Sequence, residues 1–147
     1  FPDKMLLYRE AYQLKFEQGD LADAMGLIQD LLQRFPDDLE PVYYGLRTAL
    51  YLPGEEFNRF RKTAENLKMP GHVLCLLDYA YAFLRGKRGQ AALCLEEFRR
   101  KYPSLNYYSD MLRFVTDTVP ATERGVNAAV FTSVDQFCKK MLKIGDA

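Results

Sequence analysis

Two stretches decide the fold: Tyr12–Pro36, YQLKFEQGDLADAMGLIQDLLQRFP, and Tyr79–Pro103, YAYAFLRGKRGQAALCLEEFRRKYP. At an offset of 67 (79 − 12) they share Tyr12/Tyr79, Phe16/Phe83, Gly19/Gly86, Ala24/Ala91 and Pro36/Pro103. Ile28/Leu95, Leu31/Phe98, Arg34/Lys101 and Phe35/Tyr102 are similar pairs. Tyr and Phe four residues apart lie on one helix face. A glycine soon after the Phe can take positive φ and stop that helix. Alanine beyond it lets two helices cross closely, and Ile or Leu four residues on continues the inner face. Proline ends the unit because it cannot extend the hydrogen-bond ladder. Each stretch therefore reads as helix–turn–helix.

Half of 67 is about 34, so a third unit belongs between them. Pro70 closes it, and Pro53-Gly54 stands in place of the inter-helix glycine. Its second helix carries Phe57, Phe60, Ala64 and Leu67 at helical spacing, but the small residue expected near 57–58 is Phe57 or Asn58. A slip of one residue between its two helices leaves its register open. Along the whole chain the periodicity predicts helices over 4–18, 20–34, 40–52, 54–67, 71–85, 88–101, 106–118 and about 124–143. Asp3, Asp20, Asp38 and Ser104 are candidate N-caps, and Pro41 is a first-turn residue. No pair of strands with a turn signal is present.

These residues resemble the tetratricopeptide repeat family, whose repeat is a pair of antiparallel helices. Tyr8, Ala11, Tyr12, Gly19, Ala24, Ile28 and Pro36 carry the likeness in the first unit, and Cys75, Tyr79, Ala82, Gly86, Ala91, Leu95 and Pro103 in the third. The middle unit departs from the pattern, Lys15 stands at a usual core-tyrosine position, and the chain has no Trp. The resemblance implies an all-α, right-handed α-hairpin solenoid: a single 1–147 domain of about three repeats (4–37, 38–70, 71–104) plus a C-terminal helical pair over 106–143. An irregular helical bundle with coincidental prolines is the alternative.

The totals narrow the function. Apolar residues make up 48% and charged residues 27% of the 147, as in a globular chain. Lys+Arg and Asp+Glu balance at 20 each, which gives no electrostatic case for nucleic acid or an anionic membrane. No apolar run is long enough to span a bilayer, so no membrane insertion is expected. Three widely spaced cysteines, Cys75, Cys94 and Cys138, fit free thiols in a reducing compartment better than a disulfide framework. The expectation is a cytoplasmic protein; the start on Phe1 keeps open a removed signal peptide, hence a periplasmic or secreted one, and a piece excised from a larger protein.

Chemistry has little to work with. His72 is the only histidine; with Cys75 it forms half of a metal pair, and no second pair stands at ligand spacing. A helix-start histidine beside a core cysteine is the simpler reading. No catalytic residue, metal or cofactor is expected, and the protein is read as not an enzyme. Asp78, inside the strongly apolar HVLCLLDYAYAFLRG, is a buried polar residue of interest that needs a neighbour's Arg, Lys or Tyr, or a ligand's cation. Basic residues (Arg85, Lys87, Arg88, Arg99, Arg100, Lys101) and acidic ones (Asp37, Asp38, Glu40, Glu55, Glu56) are read as solvated faces, with an anionic partner as the alternative.

Ten Tyr and ten Phe are the remaining signal. In the resembled family the first helix of each unit lines a concave surface. Carried across, those positions are Leu6, Arg9, Gln13 and Phe16; Glu40, Tyr43, Arg47 and Leu50; Val73, Leu76, Ala80 and Phe83. The Lys/Asn set with which some members clamp a terminal carboxylate is absent. The candidate groove is Arg9, Gln13, Phe16, Tyr43, Arg47, Leu50, Leu76, Ala80 and Phe83. The implied function is a protein–protein interaction module or scaffold, part of a multiprotein complex, holding a peptide or amphipathic segment. A small chaperone shielding an apolar client and a regulatory domain of a larger protein are the alternatives. Equally, the chain's own last helix, around Val130, Phe131, Val134, Phe137 and Met141, can fill the groove.

Overall fold

The computed structural model describes residues 2–144, with side chains from Met5 onward. The described residues are all-α. Eight helices follow in order: α1 (Pro2–Glu17), α2 (Leu21–Arg34), α3 (Leu39–Ala49), α4 (Glu56–Asn66), α5 (Gly71–Leu84), α6 (Arg88–Lys101), α7 (Asn106–Thr118) and α8 (Val126–Leu142), with a 3-10 turn at Pro103–Leu105 before α7. Each expected helix is present. The chain divides into two compact units, Phe1–Met69 and Pro70–Ala147.

In the first unit α1 packs on α2, α2 on α3, and α3 on α4. Gly19 takes φ +76°, where a side chain is strained, and turns the chain between α1 and α2. Its N–H donates to the Phe16 carbonyl at 3.0 Å, and the Asp20 N–H reaches back to Lys15 at 2.9 Å. These bonds satisfy carbonyls that the end of α1 would leave open. Asp20 then caps α2 by accepting from the Asp23 N–H at 3.2 Å, and Asp38 caps α3 by accepting from the Glu40 N–H at 2.9 Å. The cap expected at Asp3 lies outside the described side chains. Tyr12, Ala24, Ile28 and Leu31 form the buried stripe of the first pair.

The middle pair shows how a helix crossing survives without its alanine. The buried residues on α4 are Phe57, Phe60 and Ala64, and the small residue at the crossing is Gly45 of α3. A Cβ added to Gly45 would overlap the Phe60 ring. The close approach of α3 and α4 thus rests on Gly45 rather than on a small residue of the second helix.

The second unit repeats the opening device. Gly86 also takes φ +76°, its N–H donates to Phe83 at 3.0 Å, and Lys87 N–H reaches Ala82 at 3.0 Å. Both α2 and α6 end on an aromatic cap whose N–H donates at 2.8 Å, Phe35 to Leu31 and Tyr102 to Phe98. After α7 the pattern breaks. Ser104 does not cap α7, because it falls inside the 3-10 turn and Leu105 takes the cap position without a side-chain bond. The principal partner of α8 is α5 rather than α7. The seven residues of 119–125 give the chain room to carry α8 back. Val126, Val130, Val134, Phe137 and Cys138 form its buried face. Phe137 lies among rings: 4.7 Å from Tyr108, 5.8 Å from His72 and 6.0 Å from Phe98, centroid to centroid.

Candidate functional site

In the first unit Arg9, Gln13 and Phe16 stand at i, i+4 and i+7 on one face of α1. They meet Glu40, Tyr44, Arg47 and Tyr51, a face of α3 and the turn after it. At one end Arg9 grips Glu40 with a two-bonded fork, Nε to Oε2 at 2.7 Å and Nη2 to Oε1 at 3.0 Å, and Tyr44 Oη donates to the same carboxylate at 3.2 Å. The bond to Glu40 raises the Arg9 pKa. Burial, then the Glu40 charge, keeps the Tyr44 phenol protonated far into alkali. In the middle Arg47 Nη1 donates to Gln13 Oε1 at 2.8 Å, and Gln13 Nε2 donates to Glu17 at 2.9 Å. The Arg47 guanidinium lies 4.2 Å from the centre of the Phe16 ring, and Phe16 is 6.1 Å from Tyr51 at the far end.

The result is a polar–aromatic strip of partly exposed Arg9, Gln13, Phe16 and exposed Tyr51 over a buried Arg47. It offers hydrogen-bond donors and acceptors at one end and ring faces at the other.

Of the other groove candidates, Tyr43, Leu50, Leu76, Ala80 and Phe83 are buried, like Arg47, so no ligand reaches them as the chain stands. On α3 the strip uses Tyr44 and Tyr51, each one residue past Tyr43 and Leu50. One residue is a 100° turn of the helix, and it reflects the middle unit's open register. In the second unit Phe83 receives the Arg88 guanidinium at 4.9 Å.

Asp78 is a correction. It was expected to be buried, but it keeps partial exposure. His72, Cys75, Asp78 and Tyr81 of α5, with its C-cap Arg85, three or four residues apart, form a narrow stripe that reaches solvent between otherwise buried positions 73–83.

His72 sits edge-on to Tyr102 at 5.6 Å and to Phe137, and burial lowers its pKa. Cys75 turns away from it and donates to the Cys94 carbonyl at 3.4 Å. Burial, then Cys94, Asp78 and Glu97, pushes the Cys75 thiol up to about 12. An aromatic-packed imidazole and a protonated thiol do not make a nucleophile–base pair. Among the described residues no group of three or more His, Cys, Asp or Glu side chains is placed to hold a metal ion. No helix among them is long and apolar enough to cross a membrane.

Three members of the basic cluster have partners within the chain. Arg85 lies 3.6 Å over the Tyr81 ring, Arg88 donates to the Thr116 carbonyl at 2.9 Å and to that of Val119, and Lys101 pairs with Glu97 at 2.9 Å. Arg88 thereby satisfies carbonyls at the end of α7. No family model, no curated protein and no solved structure matches the chain.

Proposed function

We propose that the chain is a non-enzymatic protein-interaction module, a right-handed array of tetratricopeptide-like hairpins that binds an extended or helical peptide. The observation that carries this reading is the strip of the first unit, where Arg9, Gln13 and Phe16 meet Glu40, Arg47 and Tyr51 over two helices. The array is supported by the recurrence of the glycine turn and the aromatic helix cap. The α5 face lies against α8, so the ligand is short and seats on α1 and α3. Its recognised chemistry is a backbone amide or polar side chain at Gln13, beside an apolar or aromatic residue between Phe16 and Tyr51.

The test is a displayed random-peptide library panned against the full chain, followed by fluorescence anisotropy on the enriched sequences. A shared motif is expected, with binding weakened at least about tenfold by Gln13→Ala and by Phe16→Ala (about 1.4 kcal/mol per tenfold). Failure to enrich any motif, or binding indifferent to both substitutions, overturns the reading.

A second reading, a small chaperone for apolar clients, draws on Leu6, Leu7 and Leu14, which are exposed along α1. It requires that the chain suppress light scattering by a heat-aggregating enzyme and that Leu7→Glu/Leu14→Glu remove the effect. Unchanged scattering excludes it.

A further inference from the structure

α7 turns Ser109, Leu112 and Thr116 to its core. On the opposite side stand Tyr107, Met111 and Phe114, which are 76%, 39% and 68% exposed. Their spacing, i, i+4 and i+7, makes one apolar stripe. With Thr116 laid over Thr48 (116 − 48 = 68), Met111 and Phe114 correspond to Tyr43 and Leu46 of α3, which are 1% and 0% exposed. A face that is buried in α3 is thus bare in α7. Beside it runs a groove of about 710 Å³ between α6 and α7. Arg99 and Arg100 stand at its Asn106 end and Asp117 at its other end, with Asp110 and Arg113 between them. The ion pairs along it, Arg99–Asp110 at 3.5 Å, Arg113–Asp117 at 2.8 Å and Arg113–Glu96 at 3.2 Å, are exposed and worth little individually.

We infer that this face is a self-association surface, and that its occupant is α7 of a second copy, antiparallel about a two-fold axis beside Met111. The pattern is nearly the same read in either direction. With Met111 opposite Met111 of the second copy, Tyr107 falls beside Phe114 and Val115, and Phe114 beside Tyr107 and Tyr108. On the groove side Asp110 falls beside Arg113 of the second copy, and Arg113 beside its Asp110. Asp117 approaches the Asn106 end, where Arg99 and Arg100 supply the opposite charge. A parallel arrangement would set Asp110 on Asp110 and Arg113 on Arg113. Antiparallel helices also oppose their dipoles favourably. A two-fold interface requires this self-complementarity, with residue i meeting j and j meeting i. A helix from an unrelated protein gives no reason for it. The stripe is small beside a standard interface, so the dimer belongs to the weak, transient class. This inference rests on α7 and is independent of the α1–α3 strip.

The experiment is analytical ultracentrifugation of the full chain from about 10 µM to about 1 mM. The weight-average mass is expected to climb from that of the monomer toward twice that value. Phe114→Glu abolishes the climb. Asp110→Arg raises the dissociation constant at least about tenfold, and adding Arg113→Asp to it restores most of the loss. All these positions are at the surface, and circular dichroism melts check that each variant keeps its fold. A monomer throughout the range overturns the inference and leaves the stripe to another protein's helix. A dimer untouched by Phe114→Glu overturns it too, since the copies then meet elsewhere. Failure of the double reversal to restore association overturns the antiparallel register.

Discussion

Tyr12 Oη lies 2.9 Å from Thr48 Oγ1, fully buried, and Thr48 Oγ1 donates its own proton to the Tyr44 carbonyl at 2.8 Å. Tyr12 Oη also lies within reach of the same carbonyl, at 3.4 Å. The second unit holds the same chain of bonds, with Tyr79 Oη 2.9 Å from Thr116 Oγ1 and Thr116 donating to Leu112 at 2.7 Å. Tyrosine and threonine are thus a lock between the first helices of successive pairs, α1 with α3 and α5 with α7.

A buried neutral hydrogen bond contributes about 1 kcal/mol. Tyr12→Phe and Tyr79→Phe are each expected to lower stability by about that amount in urea unfolding, with no change of m-value. The two locks share no partner, so the double variant should lose the sum. A loss below about 0.3 kcal/mol in either variant would show that the hydroxyl pairs contribute nothing net.

Gly45 permits the contact of α3 with Phe60, and it is helical, so space rather than backbone conformation is at issue. Gly45→Ala gains helix propensity of about 1 kcal/mol but drives a methyl into the ring, which costs about 1–3 kcal/mol. The expected net is a destabilisation of about 1 kcal/mol, relieved when Phe60→Leu is added. Thermal melts of the two single variants and the double variant read this directly; an Ala variant more stable than the parent would sink the packing account.

The eight helices were legible because apolar residues recur at helical spacing and glycine, aspartate and proline mark the ends. The first and third pairs were legible in detail, because Gly19 and Gly86 serve one turn and Ala24 and Ala91 one crossing. The middle pair was not, since its small residue, Gly45, moved to the other helix, and a search for a small residue near 57–58 passes over it. The packing of α8 was invisible for another reason. Its apolar stripe says that it is covered, but periodicity does not say by which helix. The Tyr–Thr locks had a signal, Thr48 and Thr116 at nearly the repeat offset, yet threonine inside a helix reads as unremarkable until the tyrosine across from it is known.

Phe137 anchors α8 in the second unit, because its ring meets His72 of α5, Phe98 of α6 and Tyr108 of α7. Phe137→Ala should destabilise by about 3–5 kcal/mol and raise amide exchange along α8 more than along α6. Phe137→Leu, closer in volume, should recover much of that. Uniform acceleration of exchange over both helices would mean that α8 does not open as a separate piece.

Cys75 tests the electrostatics of the α5 face. Its thiol is pushed up to about 12, first by burial and then by Cys94, Asp78 and Glu97. The folded value lies above the unfolded one, so any stability linked to this group is intact below pH 9 and is lost as pH rises from there toward 12. The thiolate is the nucleophile, so alkylation of Cys75 by iodoacetamide should be slow at pH 8 and climb about tenfold per pH unit without levelling off by pH 11. Mass spectrometry of tryptic peptides separates Cys75 from Cys94 and Cys138. Fast modification at pH 7, or a plateau before pH 9, would show an exposed thiolate and contradict the half-buried donor to the Cys94 carbonyl.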